Sequence, residues 1–177
     1  LQDVFDPRHI RAIRGEYDSA GRLVRQTDAD GNPIVLTHDI ENRRETITDR
    51  LGNVTVHEYD DRGNVVRTID ALSNATIHVY DDLDNEIRTI DPLGHPTTFT
   101  FDARGNKLTE TDSLSNTVTY TYNSYSQPLT IKDARGNTTR YTYSAKGNLL
   151  TEQDALSNRT TYAYDLQGNM LSRTDAL

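Results

Sequence analysis

The 177-residue chain has no cysteine, no tryptophan, one methionine and three phenylalanines. Without cysteine there is no disulfide framework and no thiolate metal site, and the redox compartment stays open. Hydrophobic residues make up only 34%, too few to fill a thick, dry core. No apolar run approaches the roughly 20 residues of a membrane-crossing helix, so no membrane insertion is expected. Basic residues are outnumbered, 19 Lys and Arg against 27 Asp and Glu, for a net charge of −8. That balance lacks the basic stripe of a nucleic-acid binder and disfavours anionic membrane surfaces. The opening Leu1-Gln2-Asp3-Val4-Phe5-Asp6 has no basic n-region, no apolar h-region and no initiator methionine. No signal peptide is read there, and the chain reads as a segment of a longer protein.

What the chain does have is tyrosine, ten of them, with many threonines and β-branched residues. Such a mixture suits a thin, two-faced sheet. The stronger signal is internal repetition. Tyr17, His38, Tyr59, Tyr80, Phe101, Tyr122, Tyr143 and Tyr164 follow one another at a constant spacing of 21. Asp or a small polar residue comes next, and Gly, Asn, Asp or Ser stands four places on. Eleven places after the aromatic every unit has an aspartate: Asp28, Asp49, Asp70, Asp91, Asp112, Asp133, Asp154 and Asp175. Residues 17–177 therefore form an array of about eight units. Residues 1–16 read as a degenerate partial repeat, in which Asp6-Pro7-Arg8-His9 echoes Asp91-Pro92-Leu93-Gly94-His95 one residue out of phase.

Each unit has two turn signals, exemplified by Asp60-Asp61-Arg62-Gly63-Asn64 and Asp70-Ala71-Leu72-Ser73-Asn74. Asp and Asn side chains bond to nearby backbone, and Gly accepts positive φ. Between the turns lie short β-branched runs, Val65–Ile69 and Ala75–Tyr80, too short for helices. The second run alternates: Thr139, Tyr141 and Tyr143 share one face, Arg140 and Thr142 the other. The first run contributes a fixed apolar position, Val24, Val66, Ile87, Leu108, Leu129, Leu150 and Leu171, which Glu45 breaks. The fold class expected is all-β: tandem 21-residue hairpins joined into an antiparallel meander of about sixteen strands. Strand twist makes so long a meander coil or close, and substantial polarity on both faces predicts a wall wetted on both sides.

Asp133-Ala134-Arg135-Gly136-Asn137-Thr138-Thr139-Arg140-Tyr141-Thr142-Tyr143 and Tyr164-Asp165-Leu166-Gln167-Gly168-Asn169 resemble the YD repeat of RHS proteins, over residues 17–177. The resemblance implies bacterial polymorphic toxins, toxin-complex components and teneurins. In these the repeats form a spiralling β-sheet shell, secreted or at the cell surface. In the toxins the shell encloses a C-terminal toxin domain, often freed by self-cleavage. Flanking repeats and such a domain are the partners the resemblance implies. Asp91-Pro92-Leu93-Gly94 falls in register with the ordinary turns and is read as a turn, not a cleavage site.

No cofactor or metal is expected. The aspartates are read as turn closures, since calcium needs six to eight oxygens at close range. His57 and His78 occupy the same site of consecutive units, where they would stack about 5 Å apart. No unit offers a distinct acid–base pocket, so the chain is not expected to be an enzyme. Tyr120, Tyr122, Tyr141, Tyr143, Tyr162 and Tyr164 are the candidate ligand contacts, as stacking platforms for sugars. Against this stands their packing on one another as cross-strand pairs, at roughly 0.2–1 kcal/mol each. The function expected is structural, as wall of a shell; the alternative is a cell-surface module binding glycans or a receptor. Open sheet edges also predict edge-to-edge self-association.

Overall fold

A computed structural model describes residues 2–5, 7 and 11–176. Asp6, Arg8 and His9, on which the echo of the later turn rests, lie outside the described residues. Strands joined by tight turns account for the regular structure, with no helix among the described residues. The chain divides into two compact units, Leu1–Tyr80 with Thr89–Gly94 and Asp81–Arg88 with His95–Leu177. In the first, eight strands follow in order: β1 (Gln2–Phe5), β2 (Arg11–Tyr17), β3 (Leu23–Asp28), β4 (Pro33–Asp39), β5 (Arg44–Thr48), β6 (Val54–Tyr59), β7 (Val65–Ile69) and β8 (Ala75–Tyr80). Each pairs antiparallel with the next. The short β9 spans Glu86–Ile90. The second unit holds β10 (Pro96–Phe101), β11 (Lys107–Thr111), β12 (Thr117–Tyr122), β13 (Pro128–Lys132), β14 (Thr138–Tyr143), β15 (Leu149–Gln153), β16 (Arg159–Tyr164) and β17 (Met170–Thr174), again an antiparallel meander. Residues 1–16 supply β1 and most of β2, which brings the count to seventeen among the described residues.

Neither unit has a core in the usual sense. Only Gly15, Val56 and Thr151 are buried among the described residues. The two faces differ in chemistry because the strands alternate. One carries the tyrosines. The other carries threonines that pair across strands, with Oγ1–Oγ1 distances of 2.7 Å for Thr100–Thr109, Thr121–Thr130 and Thr142–Thr151. Cross-strand pairs of this kind are the unit of sheet stabilisation.

Two features of the register are invisible in the repeat pattern. The first is a β-bulge beside the aromatic residue. In β6–β7, Glu58 pairs with Arg67 and Tyr59 with Val65, so Val66 is the extra residue. In the same way Val24, Leu108, Leu129, Leu150 and Leu171 are skipped in their ladders. The fixed apolar position of the first run is therefore a bulge, which bends its strand and increases local twist. The second feature is a stagger. Val56 pairs with Ile69 and Ile69 with Ala75, whereas the residue one repeat beyond Val56 is Ile77. Thr100, Thr109 and Thr119 form a row, whereas Thr121 is one repeat beyond Thr100. In each unit the sheet slides by two residues per repeat, about 7 Å along the strand for about 10 Å across it.

Candidate functional site

The turns are built on one plan. In Asp133–Asn137, the Asp133 Oδ1 accepts from the Arg135 amide at 2.9 Å and the Asn137 amide at 2.8 Å, and Oδ2 accepts from the Asn137 Nδ2 at 2.7 Å. The Gly136 amide donates to the Asp133 carbonyl at 3.0 Å, and the Asp133 amide to the Asn137 carbonyl at 2.9 Å. The other turn of the unit repeats this set, as in Asp165–Asn169. It is a tight turn closed by a residue in the left-handed region. Donation from the Asn side chain and then its backbone amide holds Asp49, Asp70, Asp102, Asp112 and Asp165 below the ordinary carboxyl pKa. The carboxylates are thus occupied in closing turns, as the sequence suggested. Asp91-Pro92-Leu93-Gly94 is such a turn too, with the Leu93 amide on Asp91 Oδ1 at 2.9 Å.

The six candidate tyrosines lie half-buried on one face. They do not pair with one another, contrary to expectation. Tyr120 stands opposite Ile131, Tyr141 opposite Glu152 and Tyr162 opposite Arg173. Tyr122, Tyr143 and Tyr164 stand opposite Pro128, Leu149 and Met170. The reason is topological: a first-run strand separates consecutive second-run strands, and the stagger displaces equivalents further. The same geometry corrects the histidine expectation. His57 and His78 lie on β6 and β8 with β7 between them, about 10 Å apart laterally rather than 5 Å. His57 instead approaches the Thr68 Oγ1 at 3.2 Å and meets the Tyr59 ring edge-on at 6.4 Å.

The aromatic residue before each turn has a second task. Tyr80 OH donates to the Val65 carbonyl at 3.1 Å and Tyr122 OH to the Lys107 carbonyl at 2.9 Å, fifteen residues back in both cases. His38 Nε2 fills the role at the Leu23 carbonyl, at 2.8 Å. Burial raises the Tyr141 and Tyr143 phenols above their usual pKa, and Glu152 adds to the effect. Lys107 sits over the rings of Phe99 and Tyr120, 5.5 and 5.1 Å from their centroids, and pairs with Glu110 at 2.6 Å. That carboxylate raises the Lys107 ammonium above its usual pKa.

Shallow grooves run along the turn ends of this face. One, about 600 Å³, is lined by Leu108, Tyr120, Tyr122 and the flanking turns Asp102–Arg104 and Asn123–Ser124. Its counterpart two repeats on, about 310 Å³, is lined by Leu150, Tyr164, Ser144–Lys146 and Asp165–Leu166. Arg104 donates to the Ser124 carbonyl at 2.7 Å and Lys146 to the Leu166 carbonyl at 2.6 Å, so each cation ties its turn to the next one along this rim.

One unit does stand out, against expectation. Where Glu45 replaces the apolar bulge residue, β4 and β5 pair without a bulge. The Glu45 side chain is only 19% exposed; it lies 3.0 Å from His38 Nδ1 and accepts from Tyr59 OH at 3.0 Å. Its turn is irregular as well, with positive φ at its fifth residue, Arg43, instead of its fourth. The signal was the break in the apolar row at Glu45. Among the described residues, however, no cluster of three or more His, Asp or Glu is placed to hold a metal.

The RHS Repeat family model matches residues 17–54, 80–117, 122–156 and 143–177. No curated protein sequence matches the chain. Among solved structures, that of the Photorhabdus luminescens Tc holotoxin pore with a mutation in TccC3 has a TM-score of 0.62 at 16% identity, over 92% of this chain and 12% of that one. The crystal structure of TcdB2-TccC3-TEV has a TM-score of 0.39 at 17% identity, over 93% and 14%. A porin-like protein from Bacteroides uniformis has a TM-score of 0.39 at 13% identity, over 91% and 86%. The first of these likenesses shows the fold. With hairpins of constant period, one plan in all the turns but that before Glu45 and a family match over most of its length, the chain belongs to the RHS repeat family.

Proposed function

We propose that the chain is a non-catalytic stretch of wall in a secreted RHS shell, flanked by further repeats and enclosing or presenting a C-terminal toxin domain. The observation that carries the reading is a sheet one layer thick, with only three buried residues among those described and a different chemistry on each face. A wall separates two spaces and needs no core of its own. The stagger within each unit supports it, since a sheet that slides by two residues per repeat advances along its strands as it widens, and so spirals. The solved structure of similar fold is that of a Tc holotoxin pore, which points the same way. The test is limited proteolysis of a parent chain carrying this segment, with mass spectrometry of its C-terminal region. A C-terminal domain that resists protease until the repeats are denatured is the expected result. Digestion at the same rate as an isolated domain ends the container reading.

A second reading, weak multivalent carbohydrate binding, rests on the grooves at Tyr120, Tyr122 and Tyr164. Aromatic rings at a groove floor suit sugar faces. A glycan array followed by Tyr120→Ala and Tyr164→Ala tests it; no saturable binding, or binding unaffected by either change, removes it.

A further inference from the structure

Two turns, consecutive on one rim of the second unit, break the plan in the same respect. All the remaining turns from Asp18 to Asp165 open on aspartate. Asn123-Ser124-Tyr125-Ser126-Gln127 and Ser144-Ala145-Lys146-Gly147-Asn148 open on uncharged residues and contain no acid. The change is in charge more than in shape. Asn123 Oδ1 still accepts from the Tyr125 amide at 2.9 Å and the Gln127 amide at 3.0 Å. Ser144 Oγ accepts from the Lys146 and Asn148 amides, at the longer distances of 3.2 and 3.1 Å. Turn closure gains nothing from either replacement, and departures from a local rule collect at functional sites.

The two turns enclose a groove of about 270 Å³, lined by Tyr125, Gln127, Ala145, Lys146 and Gly147. Its floor is fixed: Gln127 Nε2 donates to the Gly147 carbonyl at 2.7 Å, and a Cβ at Gly147 would come within 3.3 Å of that nitrogen. The Tyr125 side of the groove is open to water, with that residue 77% exposed. Lys146 Nζ uses one of its three hydrogens on the Leu166 carbonyl, and Arg104 reaches the Ser124 carbonyl next to Tyr125. Both cations are thus held by carbonyls rather than by carboxylates.

We infer that this groove takes a sugar that carries a carboxylate, its ring on Tyr125 and its carboxylate at Lys146, with Arg104 adding positive charge from the Ser124 side. The inference rests on the carbohydrate reading above and gives it a ligand class. An aromatic ring offers a sugar its flat face, and an ammonium with two hydrogens left offers charge-assisted bonds to an anion. Charge accounts for the broken plan. Aspartate at 123 and 144 would set two carboxylates at the groove and repel such a ligand; Asn and Ser remove them. Along the rim the next turn carboxylates are Asp102 and Asp165, one turn beyond on each side. A long polyanion would meet them and the net charge of −8, so nucleic acid does not fit. The groove is smaller than the roughly 300–1,000 Å³ of typical ligand pockets, so it seats one ring and binds weakly.

The test is an NMR titration of the 177-residue chain at low ionic strength, read on the Tyr125 and Gly147 amides. The probes are a galacturonic acid trimer, the neutral galactose trimer and triglutamate. The uronate trimer is expected to saturate and to bind at least about threefold more tightly than the neutral one. Lys146→Gln keeps a donor for the Leu166 carbonyl but loses the charge; N123D/S144D returns the aspartates of the regular turns. Each is expected to bring the two sugars level. Tyr125→Ala, with an unchanged far-UV spectrum, weakens both sugars roughly threefold to tenfold. If the neutral trimer binds as tightly to the wild type, the charge inference is overturned while carbohydrate binding stands. If neither sugar shifts these amides, the inference falls and the carbohydrate reading loses this groove as well. Triglutamate binding as tightly as the uronate, with no effect of Tyr125→Ala, makes the groove an anion site and overturns the sugar.

Discussion

The left-handed turn position offers the sharpest test of how this sheet is held. Fourteen regular turns among the described residues place positive φ at the fourth residue, nine at glycine and five at Ser or Asp. Ser115 and Gly136 are equivalents one repeat apart, at φ of 67° and 91°. A Cβ built at Gly136 meets nothing nearer than the Lys132 Cε at 3.9 Å. Gly136→Ala therefore has no clash to relieve, and its cost is purely backbone, about 1–2 kcal/mol. In Ser115→Gly that strain is released, but glycine loses roughly 0.5–1 kcal/mol more chain entropy on folding. The net gain falls between zero and about 1.5 kcal/mol, so the two changes differ in sign.

The assay is urea unfolding by circular dichroism, joined to hydrogen exchange at the Asp133 amide, which donates to Asn137. In a repeat array a local lesion opens its own hairpin first. Exchange at Asp133 should thus quicken roughly 5- to 30-fold in Gly136→Ala, while amides in β2 and β3 keep their rates. If Gly136→Ala alters neither exchange nor the urea midpoint, or if Ser115→Gly destabilises, the turn plan is not what holds the hairpins.

Other consequences follow from the same geometry. Tyr122→Phe removes the bond to the Lys107 carbonyl and is expected to cost about 0.5–1.5 kcal/mol in urea unfolding. Glu45→Leu restores the apolar row but strips the acceptor from Tyr59 and His38; a loss of about 1–3 kcal/mol is expected, and an unchanged midpoint would show those bonds idle. For pH, the turn aspartates have folded pKa values below their unfolded ones. Their contribution is complete above the unfolded value of about 4 and is lost as pH falls through the folded values. Urea midpoints should be level from about pH 7 to 5 and fall below about pH 4; a midpoint that rises on acidification contradicts the assignment.

Much of this was legible in the sequence, because repetition averages out local noise. The runs Val65–Ile69 and Ala75–Tyr80 are β7 and β8 residue for residue, and the aspartates close turns. The face of Tyr141 and Tyr143 was legible too, since alternation fixes sides. Pairing partners were not. Side-chain pattern says which residues share a face, whereas register is set by turn geometry and bulges. Val66 read as one member of a fixed apolar row and is a bulge; Tyr120 looked like a neighbour of Tyr141 and faces Ile131. The carboxylate at Glu45 was visible as a break in a row, but its bonds to His38 and Tyr59 depend on the bulge that is missing there.

A sheet without a core raises the question of where cooperativity comes from. Among the described residues, contacts in each unit join only consecutive strands, so no long-range packing binds distant hairpins together there. Stability is then close to a sum of hairpin terms and nearest-neighbour terms. Deleting residues 156–177, which removes β16 and β17, takes away one hairpin and one neighbour contact. The remaining strands should keep their far-UV signal and their exchange protection in β10 to β13, with a fall in the urea m-value roughly in proportion to surface lost. A compact domain of this length would instead unfold outright when two strands are cut from it. Loss of the whole sheet on this deletion would mean that coupling reaches beyond neighbouring strands, and a wall that can be lengthened or shortened by whole repeats would no longer describe the molecule.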